Sequence, residues 1–258
     1  MGERSVRGKV VLITGGAEGI GREIARNYLA AGAGVVVLVD VNDRLGRATA
    51  AELNSTHGPG KASFIQADVT SEKDLDAVYA RVLRDYDHLD VLVNNAGVLD
   101  ESNWKKCIDI NLTSLIGWSF KYLEHMRKDR GGRGGTIVNL ASIYGFRIDQ
   151  YLPVYQASKF GVLAFTRSLG HSYNYDRTGV RVIAICPSFT KTALTDRGFS
   201  CEFGDEMLFA DFKSFLETEA LWQNVDAVGG AAVEVFERAD SGTGWVIEGA
   251  KPVTPVPE

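Results

Sequence analysis

The chain has 258 residues, of which 45% are hydrophobic and 24% are charged, and its formal net charge is −5. This composition is typical of a globular protein with one large core, and the acidic balance disfavours nucleic acid as a partner because phosphate binding needs a basic face. No stretch approaches the roughly 18 consecutive apolar residues of a membrane span, and the first residues predict no targeting segment.

Strands and helices are predicted to alternate along the whole chain. Short runs rich in Val and Ile predict buried parallel strands at 10–14, 35–40, 63–66, 91–94, 136–140, 180–186 and 244–247. Apolar residues at three- and four-residue spacing predict helices between them, including 19–31, 71–86, 103–128 and 154–173. The pattern predicts an α/β fold, with a single doubly wound Rossmann domain over 1–258 and a seven-stranded, mostly parallel sheet covered by helices on both faces.

One long segment, 190–223, departs from this alternation. It is mixed in character and rich in phenylalanine, with Phe199, Phe203, Phe209, Phe212 and Phe215. One interpretation is a lid over a substrate cleft. The other is an amphipathic helical insert that packs on the body of the protein, and the two are compatible.

A glycine-rich turn follows the first predicted strand. Residues 14–21 read TGGAEGIG, in which Gly15, Gly19 and Gly21 permit a tight turn and the close approach of a diphosphate. The free N–H groups at the start of the next helix would face the phosphates. The turn predicts a dinucleotide site, although an ordinary strand–helix turn or a methyltransferase loop has a similar pattern.

An acidic residue, Asp40, ends the second predicted strand, 19 residues after Gly21. This spacing is expected of a carboxylate that binds the ribose hydroxyls of NAD and repels the 2′-phosphate of NADP. Glu18 adds negative charge to the same region. The two acids predict NAD as the cofactor, and the alternative for Asp40 is an N-cap of the following helix.

Tyr155 and Lys159 are four residues apart and would share one face of a predicted helix. A phenol with a pKa of about 10 is a poor base at neutral pH, but a neighbouring ammonium and the positive nicotinamide ring of NAD would both lower that pKa. Ser142, 13 residues earlier, is placed to hydrogen-bond a substrate oxygen. These residues predict proton transfer coupled to hydride transfer. Without the other motifs, such a pair would be interpreted as an ordinary surface pair.

With these motifs in order, the chain resembles the short-chain dehydrogenase/reductase family over essentially its full length. The segments NNAG at 94–97, DINLTS at 109–114 and NLASIYG at 139–145 match further family motifs. The stretches 103–112, 131–142 and 180–189 are similar to NAD-dependent 15-hydroxyprostaglandin dehydrogenases and invertebrate alcohol dehydrogenases. Leu152 lies where the prostaglandin enzymes look polar, which argues against a prostaglandin substrate.

The resemblance implies a role for each matching residue. Asp68 and Val69 would lie near the adenine, the NNAG segment would stabilise the sheet and line the cofactor, and the backbone of Asn111 would hold a water molecule linked to Lys159. The implied catalytic residues are Asn111, Ser142, Tyr155 and Lys159. The implied cofactor-binding residues are Gly15, Gly19, Ile20, Gly21, Asp40, Asp68, Val69, Asn94, Ala96, Gly97, Tyr155, Lys159, Pro187, Thr190 and Thr192.

These features predict an NAD-dependent oxidoreductase that acts on a secondary alcohol. We expect an apolar substrate of lipid-, prostanoid- or steroid-like character, bound by Ser142, Phe146, Leu152, Tyr155 and Phe189. Two alternatives stay open: a carbonyl reductase that works in the reverse direction, and a catalytically silent NAD-binding scaffold.

The remaining features concern metals, compartment and assembly. The four histidines lack metal-ligand spacing, so no metal site is predicted. Cys107, Cys186 and Cys201 form no closely spaced pair, so we expect free thiols in a reducing cytoplasm. The predicted helices 103–128 and 154–173 carry apolar residues on more than one face, and the resemblance implies that they pair across a two-fold axis in a homodimer or homotetramer.

Overall fold

A computed structural model describes residues 4–196, 206–249 and 251–257 of the protein. Within these residues one sheet has the strand order β3-β2-β1-β4-β5-β6-β7-β8. The strands are β1 Val10–Thr14, β2 Val35–Asp40, β3 Ala62–Gln66, β4 Val91–Asn94, β5 Gly135–Leu140, β6 Val180–Pro187, β7 Gly244–Ile247 and β8 Thr254–Pro255. The strand order reverses between β1 and β4, which is where open α/β sheets bind their ligands.

Helices connect the strands. They are α1 Gly19–Ala30, α2 Asp43–His57, α3 Glu72–Tyr86, α4 Trp104–Ile108, α5 Ser114–Met126, α6 Pro153–Leu169, α7 Ser172–Thr178, α8 Ala193–Asp196, α9 Glu206–Thr218 and α10 Val225–Arg238. A π-helical turn, Asp109–Thr113, joins α4 to α5, and short 3-10 turns lie at Lys128–Arg130 and Ile143–Gly145. In the described part of the chain, no helix has the length and apolar character needed to cross a bilayer.

The sheet is buried on both faces. Successive side chains of each strand point to opposite faces, and helices cover each of these faces. Val11 and Ile13 of β1 pack in the core formed with α1, α2 and α10, whereas Leu12 packs in the core formed with α3 and α5. Both faces are therefore apolar, and the strands are continuous runs of Val, Ile and Leu. The predicted α/β class and the Rossmann arrangement are confirmed.

The strand count and two helix lengths differ from the prediction. An eighth strand, Thr254–Pro255, pairs antiparallel with β7; it has only two residues, one of them a proline, and shows no strand pattern. The predicted helix 103–128 is divided by the π-helical turn. The predicted helix 154–173 ends at Leu169, with Gly170 as its C-cap. Gly170 packs so closely that a Cβ there would lie 2.4 Å from the Gly242 nitrogen.

Candidate active site

A cavity of about 580 Å³ opens at the carboxyl ends of the parallel strands. Its wall is formed by segments that follow β1, β2, β3, β4, β5 and β6. Most of the predicted site residues line it, namely Gly15, Gly19, Ile20, Asp40, Asp68, Val69, Ala96, Gly97, Ser142, Leu152, Tyr155, Lys159, Pro187, Phe189, Thr190 and Thr192. Gly21, Asn94, Asn111 and Phe146 do not line it, and each has a different place in the structure.

The glycine-rich turn between β1 and α1 has a backbone shape that favours glycine. Gly15 and Gly19 have φ values of 63° and 59°, in the left-handed region. A Cβ at Gly21 would lie 2.3 Å from the Gly15 carbonyl oxygen, so Gly21 allows α1 to pack against the turn and does not face the cavity. The side chain of Glu18 does not cap α1. A helix start without a side-chain cap and the glycines of this turn fit the diphosphate of a dinucleotide.

Asp40, at the end of β2, braces this turn. One carboxylate oxygen accepts a hydrogen bond from the Ala17 N–H at 3.1 Å, and the other accepts one from the Asn42 N–H at 3.0 Å. The N-cap of α2 is Asn42, whose side chain accepts a backbone N–H of the first turn. The alternative interpretation of Asp40 as that cap is therefore wrong. Asp40, Glu18 and Asp68 all line the cavity, so this end of it carries negative charge.

Two neighbouring asparagines at the end of β4 have different places. Asn94 is buried behind the cavity, where its amide nitrogen donates to Ser119 and Asn139 at 2.9 Å each and ties the central sheet to α5. Asn95 lines the cavity, and its amide nitrogen lies 3.0 Å from the Thr14 carbonyl oxygen. Asn95 was not among the predicted site residues, although its place in the NNAG segment was a signal for it.

Ser142, Tyr155 and Lys159 meet on the cavity wall. Tyr155 and Lys159 lie one turn apart on α6, and Ser142 follows β5. The Ser142 side chain lies beside the Tyr155 phenol and favours its ionised form. The Lys159 nitrogen lies 5.6 Å from the centre of the Tyr155 ring and donates to the Leu140 carbonyl oxygen at 2.8 Å. Two hydroxyl groups and one amine therefore lie together on one part of the cavity wall.

Asn111 is buried beside this group, at the π-helical turn. Its amide oxygen accepts from the Val98 N–H at 2.8 Å, and its amide nitrogen donates to the Val98 carbonyl oxygen at 2.9 Å and to the Ser158 hydroxyl at 3.1 Å. The side chain therefore fixes the loop after β4 to α6. The implied role of its backbone in holding a water molecule stays a prediction.

The protonation of Tyr155 and Lys159 is governed by burial. Burial raises the pKa of Tyr155 to about 12, although the neighbouring Ser142 side chain acts in the opposite direction. Burial also lowers the pKa of Lys159 to about 8. In the polypeptide by itself the phenol pKa is therefore raised and not lowered, because burial disfavours the phenolate. The lowering of this pKa by Lys159 and the nicotinamide ring stays a prediction. A phenolate at neutral pH requires further positive charge beside the ring.

The other end of the cavity has an aromatic wall. Leu152 and Phe189 line it, as does Tyr144, which the sequence reasoning missed. The Tyr144 ring lies nearly perpendicular to the rings of Tyr155 and Phe189, with centroids 6.3 and 5.8 Å away. Phe146 follows the 3-10 turn and does not line the cavity; it packs against the hydrophobic cluster that contains Val162, with the Arg147 guanidinium 5.3 Å from its ring.

The Phe-rich segment 190–223 is partly helical and is attached at its two ends. Thr190 and Gln223 form a parallel bridge, and α9 lies between them in sequence. Phe212 is fully buried and stacks on Tyr151 at 4.5 Å, and the Tyr151 hydroxyl donates to Asp211 at 2.9 Å. The segment thus packs on the loop before α6, as the helical-insert interpretation expects. Phe199, Phe203 and Cys201 lie outside the described residues.

The model of the short chain dehydrogenase family matches residues 9–200, which is most of the chain. The protein belongs to the short-chain dehydrogenase family. The family resemblance seen in the sequence and the predicted enzyme class, an oxidoreductase, are therefore confirmed.

Named relatives of this short-chain dehydrogenase cover most of its length. It is 44% identical over 191 residues to the 15-hydroxyprostaglandin dehydrogenase (NAD(+)) of Homo sapiens, with 74% of this chain and 71% of the relative covered. It is 30% identical to alcohol dehydrogenase 1 of Ceratitis cosyra, with 94% and 92% covered. The crystal structure of levodione reductase is similar with a TM-score of 0.79 and 28% identity, with 95% and 97% covered. The name of the human relative agrees with the predicted cofactor, NAD.

Proposed function

We propose that this short-chain dehydrogenase is an NAD-dependent enzyme that oxidises an apolar secondary alcohol to the ketone. The observation that carries the proposal is the meeting of Tyr155, Ser142 and Lys159 on the wall of a cavity whose other end is a glycine turn braced by Asp40. A hydride leaves the carbinol carbon, the hydroxyl proton goes to the protein, and a carbonyl group forms. NAD, when bound, supplies the hydride acceptor.

The glycine turn and the ends of β2 and β3 would hold the cofactor. Gly15 and Gly19 leave room for the diphosphate, and Asp40 would accept hydrogen bonds from the adenosine ribose. The negative charge of Glu18, Asp40 and Asp68 along the same wall supports NAD over NADP, because a 2′-phosphate would lie against carboxylates.

Proton transfer would be carried by Tyr155. Its phenol lies beside the Ser142 side chain, so a substrate hydroxyl that reaches both groups would be held in line for transfer. The Tyr155 oxygen would take the substrate proton, and Ser142 would orient the substrate oxygen. The charge of Lys159 favours the phenolate, which burial alone would disfavour.

The substrate class follows from the aromatic wall. Leu99, Tyr144, Leu152 and Phe189 line the cavity near Tyr155, and Phe212 supports this wall from α9. Apolar walls favour apolar ligands at roughly 25 cal/mol for each Å² buried. Leu152 offers no hydrogen bond to a second polar group on the substrate, so we propose a lipid- or steroid-like carbinol. We further propose that 190–223 forms the lid of this cleft within a single domain over 1–258.

A substrate panel tests the proposal. Purified protein would be given NAD with a long-chain secondary alcohol, a hydroxysteroid, a hydroxyprostanoid or a short polyol, and NADH formation would be followed by absorbance. We expect the highest kcat/KM on one of the apolar alcohols. A higher kcat/KM on the polyol would contradict the apolar substrate class. NADH binding without turnover of any alcohol or of the corresponding ketones would instead support the silent scaffold.

Assembly and compartment are proposed on separate grounds. Trp104 and Phe120 are about half exposed on α4 and α5, and Phe120 packs edge to face on Phe165 of α6. These exposed aromatic side chains support a homodimer or homotetramer through α5 and α6, which sedimentation would test. Cys107 and Cys186 are free and buried thiols, which supports a reducing compartment such as the cytoplasm.

A further inference from the structure

The helix that carries Tyr155 begins without a cap from its own segment. Its N-cap residue is Leu152, which has no side-chain acceptor, and Pro153 has no N–H. The N–H groups of Val154 and Tyr155 are the first donors of α6, and Glu101 accepts both. Its two carboxylate oxygens lie 3.0 Å from the Val154 nitrogen and 2.8 Å from the Tyr155 nitrogen.

Glu101 belongs to the loop between β4 and α4, 54 residues before Tyr155. Its side chain is only 7% exposed, and it does not line the cavity. A buried carboxylate is costly unless it is hydrogen-bonded or paired. Here two backbone donors and the positive end of the α6 dipole stabilise it, so its place at this helix end is strongly determined.

The carbonyl group of Tyr155 is held as well. The Ser158 hydroxyl donates to the Tyr155 carbonyl oxygen at 2.7 Å and accepts from the Asn111 amide nitrogen at 3.1 Å. Asn111 in turn accepts from the Val98 N–H at 2.8 Å, and Val98 belongs to the same loop as Glu101. These contacts close a ring of hydrogen bonds that passes through both backbone polar groups of Tyr155.

We propose that Glu101 is a positioning residue for the reaction: its carboxylate fixes the backbone of Tyr155 and so places the phenol oxygen beside Ser142. The proposal rests on the proposed function, in which Tyr155 transfers the proton. Glu101 touches neither the cavity nor the phenol oxygen, so it acts through the placement of Tyr155. The loop and α6 are separate segments, and without this carboxylate the start of α6 is free to shift against Ser142.

Glu101→Gln tests this in the full-length protein. The amide keeps the shape but turns an NH₂ group toward a backbone N–H, so one of the two hydrogen bonds is lost. We expect kcat on the best alcohol of the panel to fall by about 10- to 100-fold, because a displacement of about 1 Å at a reacting group can cost 10²-fold. The KM for NAD and the Kd for NADH should stay within about twofold, and the pH midpoint of kcat should not move.

Asp90→Asn is the matched control. The Asp90 carboxylate also accepts a hydrogen bond from the backbone N–H of a distant residue, Val10, at 2.8 Å. This contact lies at the amino ends of β1 and β4, whereas the cavity lies at the carboxyl ends of the strands. Its amide variant should lower the Tm without a change in kcat per NADH-binding site. Glu101→Asp, which keeps both oxygens on a shorter arm, should show a kcat between those of wild type and Glu101→Gln. If Glu101→Gln does not fold, the kcat of Glu101→Asp relative to wild type tests the proposal instead.

Several results would overturn the positioning role: a kcat for Glu101→Gln within about twofold of wild type, a parallel loss of NADH binding and kcat, or a shifted pH midpoint. The last would mean that the charge of Glu101, and not its hydrogen bonds, affects Tyr155.

Tyr155→Phe separates the two proposals. If it remains active, the proposed function itself is wrong; if it is inactive while Glu101→Gln is normal, only the positioning role is wrong.

Discussion

The Nζ of Lys159 lies 2.8 Å from the carbonyl oxygen of Leu140, at the end of β5. Lys159 is only 5% exposed, and burial lowers its pKa from 10.5 to about 8. The amine that the proposed reaction needs in its charged form is thus held where charge is unfavourable. The charged amine in this buried position therefore costs stability.

Lys159→Met should reveal this cost as a pH-dependent difference in stability. Because the folded-state pKa is lowered, the unfolded chain binds more protons than the folded chain between about pH 8 and 10.5, and stability contributed by Lys159 rises with pH across that range. The free energy of unfolding of wild type relative to Lys159→Met should rise by about 3 kcal/mol over this interval. Urea unfolding at several pH values measures it.

The variant should also lose turnover. A difference in unfolding free energy that stays constant, or falls, from pH 8 to 10.5 would mean that Lys159 is not destabilised by burial. Burial would then not lower the pKa of Lys159 in the folded protein.

Asp40→Asn should narrow the preference for NAD. We expect wild type to favour NAD over NADP by at least about tenfold in kcat/KM, which is about 1.4 kcal/mol. The amide retains an oxygen that accepts a hydrogen bond from the glycine turn but removes the charge that repels a 2′-phosphate. The ratio of kcat/KM values for the two cofactors should therefore fall by about tenfold.

Asp43→Asn serves as the comparison, because Asp43 lies three residues farther on, pairs with Arg47 and does not line the cavity. The ratio of its kcat/KM values for NAD and NADP should equal that of wild type. Equal efficiency of wild type with both cofactors would be incompatible with the role given to Asp40.

Phe212→Ala should weaken alcohol oxidation while leaving cofactor binding intact. Phe212 is 1% exposed and stacks on Tyr151, so its loss would loosen α9 from the loop before α6. We expect kcat/KM for the apolar alcohol to fall by at least about tenfold, since the cleft would lose its cover. The Kd for NADH, measured by fluorescence, should change little.

Phe209 lies on the same helix but is 42% exposed, so Phe209→Ala should change kcat/KM by less than about twofold. Equal effects of the two substitutions, or a large loss of NADH binding in Phe212→Ala, would exclude the proposed lid.

The features that could be predicted from sequence are those encoded locally. Runs of Val and Ile mark strands that are buried on both faces, so the class of fold was predictable from them. The four-residue spacing of Tyr155 and Lys159 placed both on one side of α6, as the structure has it. The tight turn after β1 was predictable from its glycines, because Gly15 and Gly19 adopt a backbone conformation that most other residues avoid.

The features that were missed depend on contacts between distant segments. Glu101 caps a helix 54 residues away, and no local pattern connects the two. Tyr144, in the 3-10 turn after β5, lines the cavity, whereas Phe146 just after that turn packs against a hydrophobic cluster instead. The π-helical turn at Asn111 interrupts a segment whose apolar spacing is helical throughout, and the Asn111 side chain is hydrogen-bonded there to the distant Val98 and Ser158.

The central claim is that Tyr155 transfers the proton, and Tyr155→Phe tests it most directly. The ring remains against Tyr144, and only the hydroxyl beside Ser142 is removed. With the best alcohol of the panel, we expect kcat to fall by at least about 10²-fold while the Kd for NADH, measured by fluorescence on the same sample, stays within about twofold. A variant that binds NADH normally and keeps more than about a tenth of the wild-type kcat would contradict the account.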